Sequence, residues 1–220
     1  MGPDVGTIAI AVFALLLAVV CHEWAHGYVA YRLGDNTAAS MGRLTLNPIS
    51  HIDPVGTLLM PGFLMMAGAP VFGYAKPVPV VWQNLRNPLR DMVWVAAAGP
   101  AMNLVLALVS ALVLSALVHS GLAAQGAAGT GFALGQPLML LASLSLKINV
   151  VLAVFNMIPL PPLDGGRVAV GLLPAPAAEA LARVEPFGFF VIFGLLLTGV
   201  LWAVVGPVVG AVISLFLVIV

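Results

Sequence analysis

The sequence predicts an all-α polytopic membrane protein: a bundle of about four to six transmembrane helices with a re-entrant segment and short membrane-associated β-strands. Three observations lead there. First, 62% of the 220 residues are hydrophobic and only 7% are charged, against about a quarter in soluble domains. That is too little charge to cover a folded surface in water. Second, no Asp, Glu, Lys or Arg occurs from 92 to 146 or from 186 to 220, and each gap exceeds the roughly 20 apolar residues that cross a bilayer. Third, seven of the eight cations fall in segments that can share one side of a membrane.

The elements follow in order. An apolar stretch from about Val5 to Val20 continues as helix to Leu33, where Gly34-Asp35-Asn36 stops it. It lacks the positive leader and small-residue cleavage site of a signal peptide, so Thr7 to Val20 is expected to stay in the mature chain. Ser40 to Pro48 reads as a short extended segment ending in a turn at Asn47-Pro48. Val55 to Tyr74 is apolar but broken by Pro61-Gly62, Gly68 and Pro70. Cationic loops flank it at both ends, so it is expected to enter and leave on one face, as a re-entrant hairpin or a pair of short helices. In Tyr74 to Val80 the alternate prolines Pro77 and Pro79 suit an edge strand or a polyproline-like run. Met92 to Val118 forms a span with Gly99-Pro100 inside it. Pro137 to Ile158 forms another, stopped by Pro159, Pro161 and Pro162. Phe187 to Val220 suits either one generous span or a tight hairpin at Gly206-Pro207. With no repeats, low-complexity tails or appended soluble domain, residues 1–220 read as a single domain.

Orientation follows from the cations. Arg32 and Arg43 follow the first span, Lys76, Arg86 and Arg90 precede the next, and Arg167 and Arg183 follow Ile158. The connection from His119 to Gln136 carries no charge. The cationic side is expected to be cytoplasmic. Eight positive and eight negative charges cancel, which argues against nucleic acid as a partner. A single cysteine, Cys21, excludes an intramolecular disulfide and a cysteine-cluster metal site.

An ionisable group inside a span is costly and by default functional. His22-Glu23-Trp24-Ala25-His26 follows a long apolar run. Residues four apart share a helix face, so both imidazoles can reach one ion, while Glu23 stands beside them to take a proton from water. This is the pattern of a zinc hydrolase. A chance match, or histidines capping a helix at the interface, is the plainer alternative. Two histidines leave zinc short of a protein ligand. Asp164 follows another long apolar span, in Pro161-Pro162-Leu163-Asp164-Gly165-Gly166. Both spans run outside to inside, so Asp164 and the histidines arrive at the same membrane side. The alternative is a simple surface turn. Asn156 and Asn103 are candidate oxyanion donors; helix–helix hydrogen bonding or support of a ligand would also account for them.

Beyond these readings, His22-Glu23-Trp24-Ala25-His26-Gly27, Ala98-Gly99-Pro100-Ala101-Met102-Asn103 and Asn156-Met157-Ile158-Pro159 through Asp164-Gly165-Gly166 resemble the site-2 protease family of intramembrane zinc metalloproteases. Gly34-Asp35, Gly42 through Pro48 and Ala75 through Val80 resemble its compact bacterial members. The similarity covers roughly residues 5–175 with the motifs in family order. It implies one Zn2+ per chain on His22, His26 and Asp164, with Glu23 as general base. It also implies cleavage of a membrane-embedded segment of another protein, typically after a first protease has trimmed it. The resemblance places the active site towards the cytosol and the chain in a prokaryotic plasma (inner) membrane. The PDZ and cystathionine-synthase-type domains common in the family are absent, so substrate choice must rest on the membrane part, its loops or a partner.

Other residues have plainer readings. His51 suits a loop or interfacial role better than that of a further ligand or gate, His119 an interfacial one, and Cys21 packing rather than ligation. Lys147 falls inside its span and would snorkel, face a watery cavity or mark a later span start. Two further function classes compete: a transmembrane zinc transporter and a non-catalytic metal-binding scaffold. The chargeless 92–146 stretch offers no path across the membrane for the first. No fourth protein ligand stands out for the second.

Overall fold

Small residues decide how closely the long helices pack. A computed structural model describes residues 4–66, 75–120 and 134–220. Helix α1 (Val5–Arg32, 28 residues) is about 42 Å long, more than a ~30 Å hydrocarbon core. Asp4 caps it, accepting hydrogen bonds from the Thr7 N–H at 2.9 Å and hydroxyl at 2.8 Å. At its other end Gly34, at φ +115°, turns the chain. Its buried face includes Ala14, Ala18, His22, His26 and Ala30, every fourth residue. Three alanines thus line the stripe around two imidazoles, and small residues are what let helices approach closely in lipid.

The chain continues through α2 (Thr37–Ser40), a 3-10 turn at Pro48–His51, a π-helical turn at Pro54–Leu59 and α3 (Met60–Met66). It then forms α4 (Pro88–His119), α5 (Gly135–Asn156), α6 (Asp164–Leu172), α7 (Ala175–Ala182), α8 (Glu185–Leu197) and α9 (Val200–Leu217). Helices α1, α4 and α5 pack on one another in all three pairings, and α9 leans on α4 and α5. Ala107, Val150, Ile192, Leu201, Val205 and Val209 form the apolar cluster that joins α8 and α9 to that trio. Helices α1, α4, α5 and α9 are long and apolar enough to cross a membrane. The α7–α8 pair, bent by 65°, brings the number among the described residues to as many as five.

Three expectations are corrected or only partly met. No β-strand occurs among the described residues. Residues 75–81 lack helical structure, but their backbone is taken up by other partners. Pro77 and Pro79 have no N–H to give. The Lys76 N–H donates to His51 O at 2.9 Å, the Val78 N–H to Glu23 Oε2 at 2.7 Å and the Val81 N–H to Asp35 Oδ2 at 2.7 Å. Arg43 donates to the carbonyls of Lys76 and Pro77 at 3.1 and 3.2 Å. The anticipated extended segment at 40–48 is a helical turn followed by bends. The break in the last apolar stretch lies at Gly199, φ +73°, whereas Pro207 sits inside α9. Pro54 to Met66 forms a π-helical turn followed by a short helix; the rest of that stretch, 67–74, lies outside the described residues. Lys147 stands well inside α5, exposed, with buried Ser145 and Asn149 two residues to either side on the opposite face.

Candidate metal centre

On α1, His22 and His26 lie one turn apart and are 7% and 9% exposed. Their Nε2 atoms are 3.0 Å apart, and the rings meet edge to face. Asp164, the first residue of α6, brings Oδ2 to 3.2 Å from His22 Nε2 and 3.3 Å from His26 Nε2. The chain reaches this point by a sharp reversal after α5. Pro159, Pro161 and Pro162 prevent α5 from continuing, and the Leu163 N–H closes on Leu160 O at 3.0 Å. Gly165 makes the reversal possible, because a Cβ there would strike the Met157 and Ile158 carbonyls.

The protonation pattern follows from the far side of each ring. His26 Nδ1 lies 2.6 Å from Val95 O, a carbonyl that can only accept, so Nδ1 carries the proton and Nε2 presents a lone pair. His22 Nδ1 lies 2.6 Å from Asn103 Oδ1, with the same result. Protonating both Nε2 atoms instead would set two N–H groups against each other at 3.0 Å. Three acceptors therefore converge, and Asp164 Oδ2 is buried with no hydrogen-bond partner among the described residues. Such a cluster needs a cation. Tetrahedral ligands about 2.0–2.2 Å from zinc stand roughly 3.3 Å apart, so the donor set fits zinc in both chemistry and spacing. Among the described residues these three are the His, Cys, Asp and Glu side chains grouped closely enough to share an ion.

The surroundings fit that role. Gly99 of α4 lies against the ligand nitrogens: a Cβ there would land on His26 Nε2 and 2.6 Å from His22 Nε2. Glu23, half-buried, turns to the neighbouring face of α1, where Val78 holds its carboxylate. Asn103 is fully buried and spends both N–H groups, on Ala18 O at 3.2 Å and Asn149 Oδ1 at 2.8 Å. It therefore has no donor left for an oxyanion and stands behind His22 instead. Asn156 ends α5 and gives one N–H to Leu152 O at 3.0 Å within its own helix.

His51 is buried away from the triad with Nε2 on Thr45 O at 2.9 Å, and His119 is exposed beside Ser115 O. Cys21 is half-buried and outside the ligand group. The sequence reading missed Asn149 and the main-chain contacts at Val95 and Val78. Asn149 did carry a signal, being an amide four residues after Ser145 in an apolar span.

Fold and site together define a multi-pass membrane protein in which His22, His26 and Asp164 converge on a candidate metal centre. Residues 10–199 match the model described as "Peptidase family M50", and the chain belongs to that family, the site-2 proteases. It is 38% identical over 209 residues to "Putative zinc metalloprotease YwhC" of Bacillus subtilis (strain 168), covering 93% of this chain and 90% of that one. "Putative zinc metalloprotease Rip2" of Mycolicibacterium smegmatis is 30% identical over 196 residues, 88% of this chain and 69% of its own. No solved structure matches significantly. The protein is thus a zinc-dependent intramembrane protease acting on membrane-protein substrates.

Proposed function

We propose that His22, His26 and Asp164 hold the zinc ion and that Glu23 is the general base for hydrolysing a peptide bond in or near a transmembrane segment of the substrate. The observation that carries this is the convergence of three lone-pair donors on one buried point, with Asp164 Oδ2 otherwise without a hydrogen-bond partner among the described residues. Zinc supplies Lewis acidity there, towards an attacking water and towards the scissile carbonyl. The chain's own residues do the rest. Glu23 takes the proton from water and returns it to the leaving amine. The Val78 N–H on Oε2 steadies that carboxylate and leaves its second oxygen for the proton. Asn156, with one N–H beyond its bond to Leu152 O, is the side-chain donor we assign to the oxyanion. A helical substrate must unwind first, because a helix engages its carbonyls in its own hydrogen bonds.

The wider reading is that residues 1–220 act as one intramembrane metalloprotease domain in a prokaryotic plasma membrane, with its centre open to the cytoplasm. Support comes from the seven cations that share a side with the inner ends of α1 and α5. A substrate already trimmed by another protease, as in regulated intramembrane proteolysis, rests on the family resemblance.

Glu23→Gln tests the mechanism. The variant should keep its zinc and lose cleavage of a co-expressed membrane substrate by at least about a hundredfold. Undiminished cleavage would falsify the role given to Glu23. Zinc uptake into vesicles by a form that cleaves nothing would instead support a transporter.

A further inference from the structure

Two backbone carbonyls, Ala18 O in α1 and Ser145 O in α5, can only accept hydrogen bonds. Between them they fix the sense of a buried relay. Asn149 Nδ2 lies 2.8 Å from Ser145 O, which turns Asn149 Oδ1 towards Asn103. Asn103 Nδ2 donates to that oxygen at 2.8 Å and to Ala18 O at 3.2 Å. Its own Oδ1 must then face His22 Nδ1, at 2.6 Å. Read from its far end, the relay leaves the His22 proton on Nδ1 and the Nε2 lone pair on the metal side.

Flipping the Asn103 amide would reverse this. Its nitrogen would donate to Nδ1, and His22 would hold its proton on Nε2, facing Asp164, where it cannot ligate. Asn103 and Asn149 are 0% and 1% exposed, so water does not replace a lost partner. The two ligand imidazoles are therefore set differently. His26 is fixed directly by the main chain of α4 at Val95, whereas His22 is fixed through the Asn103 amide, whose sense the Ala18 carbonyl and, by the shorter bond, Asn149 of α5 set together.

We propose that Asn149 is a positioning residue for the metal centre, acting through Asn103 to hold His22 in the tautomer that can bind zinc. This rests on His22 being a ligand, as assigned above. Ser110, whose hydroxyl bonds that of Ser145 at 2.8 Å, lies beyond the amides and does not set their direction.

Nitrogen-15 spectra of the histidine rings in the metal-free, full-length protein test the relay in its native form. The His22 proton should sit on Nδ1, and finding it on Nε2 overturns the proposal. In Asn149→Leu the tautomers should mix, and zinc affinity, measured by chelator competition, should fall about ten- to hundredfold. Asn149→Asp, as a neutral buried acid, can still accept from Asn103 and donate to Ser145 O, so it should stay within about threefold. Ser110→Ala should bind zinc like the wild type. A wild-type spectrum and affinity in Asn149→Leu would overturn the relay, and if that variant does not fold, the wild-type spectrum and Asn149→Asp still decide. His22→Ala separates the two levels. If zinc binding survives it, the ligand assignment fails; if binding is lost while Asn149→Leu changes nothing, only the relay fails.

Discussion

Gly99 is where the centre tolerates least. Any side chain there enters the space between the two ligand nitrogens, although α4 itself would accept alanine more readily than glycine. Gly99→Ala should therefore leave helix content unchanged and reduce bound zinc on the order of tenfold or more, read by metal analysis and circular dichroism on the purified protein. Retained zinc would mean that α4 stands further from the two imidazoles than described. The residue scale was also the most legible in sequence. His22, Glu23, His26 and Asp164 stood out because ionisable groups beside apolar spans are rare. Their supports did not stand out, because the Val95 carbonyl and the Val78 N–H belong to the backbone and have no residue-type signature. Asn103 was noticed as a buried amide, but only the partners on both of its N–H groups decide whether it faces substrate or a ligand.

At the scale of elements, the stretch 75–81 shows why an extended pattern did not become a strand. The alternate prolines were read correctly as unsuited to a helix. What the sequence could not convey is that two carboxylates, an arginine and the His51 carbonyl, not a neighbouring strand, would engage this backbone. Asp35 is the chief anchor. Just past α1 and 1% exposed, it accepts from the Thr37 and Val81 N–H groups and from Asn84. Burial opposes its charge, but these bonds, with that from the Thr37 hydroxyl, outweigh it and hold the carboxyl below its ordinary value. Asp35→Ala should cost about 1–3 kcal/mol at neutral pH, because buried donors lose their acceptor. A lowered folded-state value means that the stabilisation is complete above the unfolded value of about 3.9. It is lost as pH falls through the lower folded value. Thermal melts of variant and wild type should therefore converge below about pH 4, and a constant gap would refute the carboxylate's part. The last apolar stretch teaches a similar lesson. The sequence pointed to Gly206-Pro207 for a break, whereas the chain turns at Gly199, φ +73°, and Pro207 sits inside α9.

For the whole molecule, orientation is the property most exposed to test. With Cys21 replaced by Ser, the chain has no other thiol. Arg183→Cys should then react with a membrane-impermeant maleimide only in opened cells, and Ser120→Cys in intact ones; the reverse pattern would invert the orientation and with it the side on which the centre opens. The same architecture governs biogenesis. Two of the proposed ligands arrive with α1, at the start of synthesis, while the carboxylate and the far anchor of the proposed His22 relay arrive only with α5 and the turn after it. On the proposed ligand set, a nascent chain inserted as far as α4 holds two neutral imidazoles without the carboxylate, too few ligands to retain zinc. Metal loading is therefore a late event, and a chain whose fifth helix fails to insert remains without zinc.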